Sequence, residues 1–161
     1  MSVLRQGAGC WWWSLLAGLW VACGAARAAD LKIKAQLVWG TDAPAPEGEK
    51  FSPLDPKIRD KFLRQLRWKN YFVVKEMDSP VSTRESHQLK LSKKCQVEVR
   101  EVAEGNLEVR VFTVAADGQA KLVDVRLQSL DKLRKGHVLV YGGDSKDNWD
   151  DAWLVVVTAV P

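Results

Sequence analysis

Most signatures of small-protein chemistry are scarce or missing in this chain. Its 161 residues include three cysteines and two histidines. No C-x-x-C, H-E-x-x-H, G-x-S-x-G or phosphate-cradling glycine loop occurs. A zinc site needs three or four nitrogen, sulfur or carboxylate ligands, usually with a closely spaced pair. His87 and His137 are far apart, and Cys95 has no nearby cysteine, so no zinc pattern forms. Internal repeats and low-complexity tracts are also missing, which excludes solenoids and arrays. Long hydrophobic runs are short in supply too. The main strongly apolar run, Cys10 to Ala22, falls well below the roughly twenty apolar residues that span a bilayer.

That stretch instead has the layout of a secretory signal peptide. Arg5 precedes it, and small residues follow it, ending in Ala26-Arg27-Ala28 ahead of Ala29-Asp30. The expected organisation is a leader at 1–28 and a single β-rich domain at 29–161. Export from a bacterial cytoplasm then places the protein in the periplasm or outside the cell. A second reading of the leader is a lipoprotein box. Leu19-Trp20-Val21-Ala22-Cys23 resembles one, with lipid expected on Cys23, although Trp20 stands where such boxes carry leucine.

Removing the leader changes the composition. Of the formal charge of +4, two units come from Arg5 and Arg27, with no acid beside them. The remaining body is near balance and gives no reason to expect nucleic acid as a partner. Cys10 and Cys23 leave with the leader, so the body has no intrachain disulfide. Cys95 heads a strand pattern on the same side as Val97 and Val99, where burial is expected. Of the eight tryptophans, Trp39, Trp68, Trp149 and Trp153 belong to the body.

The body reads mainly as strands. Leu31, Ile33, Ala35, Leu37 and Trp39 alternate with mostly polar residues up to Gly40, the period of a half-buried strand. A Pro-rich surface loop is expected over 41–54. One amphipathic helix is expected from Pro56 to Trp68, with Asp55 as its cap and Pro56 at its first position. Ile58, Phe62, Leu63 and Leu66 form its apolar stripe. Tyr71–Val74 is a strand ended by Asp78-Ser79-Pro80, and further strands cover 87–91, 95–100, 107–114, 122–127, 137–141 and 153–157. Glu104-Gly105-Asn106 and Asp117-Gly118 are expected turns, the second a strong hairpin signal. Leu154 to Val157 is apolar on both sides, so a strand covered on both faces is expected there. Few helices and short connections point to a mainly β fold: an antiparallel β-sandwich or open barrel of about eight strands with one helix.

The densest patch of chemistry lies in the loop from Gly142 to Asp151. Asp144, Asp147, Asn148, Asp150 and Asp151 supply the hard oxygens that calcium requires. The loop has no EF-hand spacing, and Lys146 places a positive charge inside it. Trp149 among these acids suits a sugar ring, with the indole face against the ring and carboxylates accepting from hydroxyls. Trp153 is expected to pack inside. Lys57, Lys61 and Arg64 form a basic stripe on the helix, with Asp60 placed to pair with Arg64.

No catalytic residue, metal ligand or cofactor is assigned from these patterns. The leading expectation is an exported, non-enzymatic binding or assembly module of the cell envelope. Its partner would be another envelope protein or a glycan, met through the 142–151 loop or an exposed strand edge. The alternatives are a small glycan-active or hydrolytic enzyme with a dispersed site, and a calcium-stabilised adhesin-like module.

Overall fold

A computed structural model of the protein describes residues 31–160, apart from 46, 49–50, 63–65, 67, 83–84, 103–104 and 145–150. It contains two antiparallel sheets. The five-stranded sheet has the order β2 (Ser52–Pro53), β3 (Asn70–Pro80), β1 (Lys32–Thr41), β9 (Asp151–Val160), β8 (Leu139–Asp144). The four-stranded sheet is a meander of β4 (His87–Lys90), β5 (Cys95–Val102), β6 (Asn106–Val114) and β7 (Ala120–Ser129). Neither sheet closes into a barrel, so the sandwich form of the expected β class is the one adopted.

The alternation seen in β1 sets the packing. Ile33, Ala35 and Leu37 face the four-stranded sheet and meet Val97, Val99, Leu107, Val109 and Val111 from it. Burial of such side chains, each worth roughly 1.5–3 kcal/mol, drives the two sheets together. The opposite face of the five-stranded sheet is apolar as well. Val38, Leu154, Val156 and Tyr71 are buried there under Leu54 and Ile58. Strand β9 therefore splits its side chains between two cores. Val155 and Val157 enter the inter-sheet core while Leu154 and Val156 enter the other, and all four are buried. This matches the expected double burial; β9 lies between β1 and edge strand β8.

The second core is covered by α1 (Pro56–Phe62). Asp55 caps it as expected: the Lys57 N–H donates to Asp55 Oδ1 at 2.8 Å, satisfying one of the orphan amides of the first turn. The expected helix to Trp68 is too long, because neither Leu66 nor Trp68 is helical. Both pack on the sheet face instead, and Trp68 fills the space beside Gly40. A Cβ at Gly40 would stand 3.1 Å from Trp68 Cε3, so a larger residue would require the indole to give by a few tenths of an ångström. The Lys69 N–H donates to Asp42 Oδ1 at 2.9 Å, leading the chain into β3.

Other expectations also need correction. The strand count is nine among the described residues, because Ser52–Pro53 at the end of the expected 41–54 loop pairs with β3. Asp78-Ser79-Pro80 does end β3, but from within it: all three pair with β1, opposite Lys34, Ile33 and Lys32. Proline is tolerated there as the last residue of the strand. A second helix, α2 (Leu130–Arg134), sits in the connection between the strands expected at 122–127 and 137–141; it buries Leu130 and Leu133 and is followed by Gly136, whose φ is 81°. Gly142, Gly143, Asp144 and Asp151 belong to β8 and β9 rather than to a loop. The Asp117-Gly118 turn is found at the β6–β7 tip, with Gly118 at φ 84° and the Gln119 N–H donating to Asp117 Oδ1 at 2.9 Å. Gly105, at φ 68°, turns β5 into β6.

The doubly buried sheet makes a stability prediction. Leu154→Ala removes a side chain wholly inside the second core and is expected to cost about 2–5 kcal/mol in urea unfolding. Leu127→Ala, on the exposed face of β7, is expected within about 0.5 kcal/mol of the parent. Similar losses from the two would contradict this account of the core.

Candidate functional site

Of the residues singled out for binding, Asp147, Asn148, Trp149 and Asp150 lie outside the described residues. Asp144 closes β8 opposite Ala152, and Asp151 opens β9 opposite Thr41. Among the described residues no group of three histidine, cysteine or acidic side chains is arranged to hold a metal. The basic stripe is divided. The Lys61 ammonium donates to the Gly136 carbonyl, and Asp60 pairs with Arg59 at 3.6 Å; Arg64 lies outside the described residues.

Two surface features were not anticipated, and both involve β7. The first is its orientation. Asp124, Arg126 and Gln128 are paired with Val111, Val109 and Leu107, so β7's polar side chains share the face that makes the core. Leu122, Val125 and Leu127 therefore lie on the outer face, where they are 47%, 42% and 62% exposed. Beside them on that face Glu108 accepts from Arg100 Nε at 2.9 Å and forms an ion pair with Arg110 Nε at 2.7 Å, while Phe112 stands opposite Leu122. Arg126 gives the inner face its contacts. Its guanidinium pairs with Asp124 at 3.1 Å, donates to the Val140 carbonyl of β8 at 3.0 Å and lies 5.0 Å from the centroid of the Tyr141 ring. It ties the edge of one sheet to the edge of the other.

The second feature is a cleft of about 610 Å³ between the sheets at the end where the core stops. Leu37, Val111, Val155, Tyr141 and Trp153 line it, with Cys95 and the turn Ser92-Lys93-Lys94 at the four-stranded side. Each sheet has a β-bulge here. Between Leu37 and Val38 the pairing with β3 skips Val74, and between Val111 and Phe112 the pairing with β7 skips Val123. Both skipped residues line the cleft. Bulges increase local twist and re-aim side chains, and they are frequent beside functional sites.

Trp153 was expected inside, yet it is 41% exposed. It stacks on Trp39 with centroids 6.4 Å apart and an interplanar angle of 22°. Trp39 also meets Phe72 and Phe51, at 5.8 and 6.0 Å, making an aromatic wall beside the cleft. Cys95 faces the core side as expected but is only half-buried, with its thiol free. Burial raises the Cys95 thiol above its ordinary value of 9.0, which favours the neutral form over a thiolate nucleophile. Burial also raises the Tyr141 phenol, although Arg126 pulls it down and Asp124 adds to the rise.

Comparison with protein-family models, curated proteins and solved structures gives no match. The reading of function therefore depends on the surface itself.

These shifts fix a pH dependence. A neutral acid whose folded pKa is raised contributes stability below its unfolded pKa and loses it as pH rises toward the folded value. Stability is therefore expected to fall above about pH 9, the region where unfolded Cys95 and then Tyr141 ionise. Urea midpoints across pH 7–11 measure this, and Cys95→Ala should remove the early part of the decline. An unchanged profile in that variant would contradict the assignment to Cys95.

Proposed function

We propose that the protein is an exported, non-enzymatic binding or assembly module of the bacterial envelope, and that β7 is its docking edge for a protein partner. The observation that carries this is the outward set Leu122, Val125 and Leu127 on a strand that has β6 as its one ladder partner among the described residues. Edge strands are ordinarily protected by charge, by shortness or by cover, because their unpaired amides and carbonyls template other chains. This edge spans ten residues and carries its charges on the inner face. An extended partner segment would find main-chain groups to pair with and apolar side chains to bury, the mode of recognition by strand addition.

The leader at 1–28 supports envelope placement through its layout, and processing after Ala28 would leave Ala29 as the first residue. The calcium-stabilised alternative centres on 144 and 147–151, of which 147–150 lie outside the described residues, and the enzyme alternative on a dispersed site; neither has an observation that favours it here.

Site-specific photo-crosslinking in the envelope tests the proposal. A photoreactive residue at Leu127 is expected to give a discrete protein adduct, whereas one at Gln88 on the opposite edge strand should not. Val125→Lys is expected to reduce the Leu127 adduct several-fold, since an interface burying Val125 would have to bury an unpaired charge in its place. Equal labelling from both edges, or labelling indifferent to V125K, would overturn the reading. The intact mass of the envelope form measures the processing step separately.

A further inference from the structure

We infer that the inter-sheet cleft is a binding site for a single-chain anionic amphiphile, a free fatty acid with its chain between the sheets and its carboxylate at the lysine turn. This goes beyond docking at β7, which concerns the outer face of that strand. Three observations converge on it.

The first is shape. Packed sheets stand about 10 Å apart, so a gap between them is one side-chain layer thick, suited to an extended alkyl chain. The volume of about 610 Å³ lies within the roughly 300–1,000 Å³ of small-molecule sites.

The second is the wall. Leu37, Val74, Val111, Val123 and Val155 give aliphatic surface from both sheets, and the two bulges supply Val74 and Val123. Burying apolar ligand surface against it contributes about 25 cal/mol per Å² before the costs of ordering.

The third is charge. Lys93 and Lys94 line the cleft and are exposed. Register places two more lysines beside it: Lys75 opposite Leu37, and Lys121 opposite Thr113. No ion pair is found for any of the four among the described residues, whereas Asp124, the acid lining the cleft, is already paired with Arg126. The mouth thus presents cations without counter-charges next to an apolar slot. A sugar would need hydrogen-bonding groups deep in the slot, but its inner surface is chiefly aliphatic. A cationic amphiphile would meet like charge.

Calorimetric titration of the full chain with dodecanoate, butyrate and dodecyltrimethylammonium tests the assignment. Dodecanoate is expected to bind with one equivalent, while butyrate and the cation bind at least about tenfold more weakly. Reversing the exposed lysines in K93E/K94E should weaken dodecanoate by about tenfold, in keeping with a few exposed charge interactions. Cys95, which lines the cleft, gives a local readout: saturating dodecanoate should slow its alkylation by iodoacetamide, followed by peptide mass spectrometry. Equal affinity for acid and cation, unchanged dodecanoate binding in K93E/K94E, or alkylation of Cys95 at an unaltered rate would each overturn the proposal. The β7 adduct is read on another face, so failure here leaves it unaffected.

Discussion

The structure depends on one constraint: the five-stranded sheet must be covered on both faces. Strands β1 and β9 carry apolar side chains in both registers, with Ile33, Ala35 and Leu37 facing one way and Val38 the other, and Val155 and Val157 opposed to Leu154 and Val156. A sheet of this kind needs a layer on each side. The four-stranded meander provides one. Helix α1, with Leu54, Leu66 and Trp68, provides the other. The meander is covered on one face only, and its outer surface is stabilised by solvation and by the Glu108 arginine pairs. The molecule is therefore asymmetric, with its most unusual surface on the thinner side.

That asymmetry explains β7. An edge strand at the open flank of a sandwich must either close the flank with apolar side chains or bridge it with polar ones. Here Arg126 bridges it through an ion pair, a main-chain hydrogen bond and a contact with the Tyr141 ring. Individually such exposed contacts are weak, about 0–1 kcal/mol for the pair and about 0.5–1 kcal/mol for the ring. Together they hold the strand's inner face against β8. Period-two alternation then leaves Val125 and Leu127 outward, because a strand cannot turn both of its sides to the core. The apolar stripe stands exposed on the other side of the strand from the latch.

The sequence carried much of this in its alternation and turns. The period of β1, the double apolarity of β9, the Asp55-Pro56 helix start and the Asp117-Gly118 tip are local signals, and they match the structure. Several features were legible only in part. Leu130 and Leu133, with Ser129 before them and Lys135-Gly136 after, form a one-turn helix pattern, but so short an apolar spacing is easily read as part of a strand. The place of Trp68 against Gly40 is a tertiary fit, which no helical periodicity encodes. The inward side of β7 was equally hidden, because alternation shows that two faces differ but not which one meets the core. Residues 144 and 147–151 stand out in the sequence for chemical density; the cleft does not, because it assembles from many strands, and the stripe does not, because alternation within β7 leaves its outward side unmarked.

The cleft follows from the same geometry. In a regular sandwich the two sheets would stay in contact along the full length of Leu37, Val111 and Val155, and the end would be sealed by the next inward side chains. On β1 and β9 those are Trp39 and Trp153, which stack on each other rather than on the facing sheet. On β5 and β6 they are Cys95 and Thr113, both too small to reach across. Each sheet then gains a residue of backbone at this level, Val74 in one and Val123 in the other, and the added twist carries the strands apart. A pair of large aliphatic residues at 95 and 113 would have closed the gap at no topological cost. The pairing of small residues on one sheet with self-stacked indoles on the other leaves the core open, and the lysines around the opening determine which amphiphile it suits.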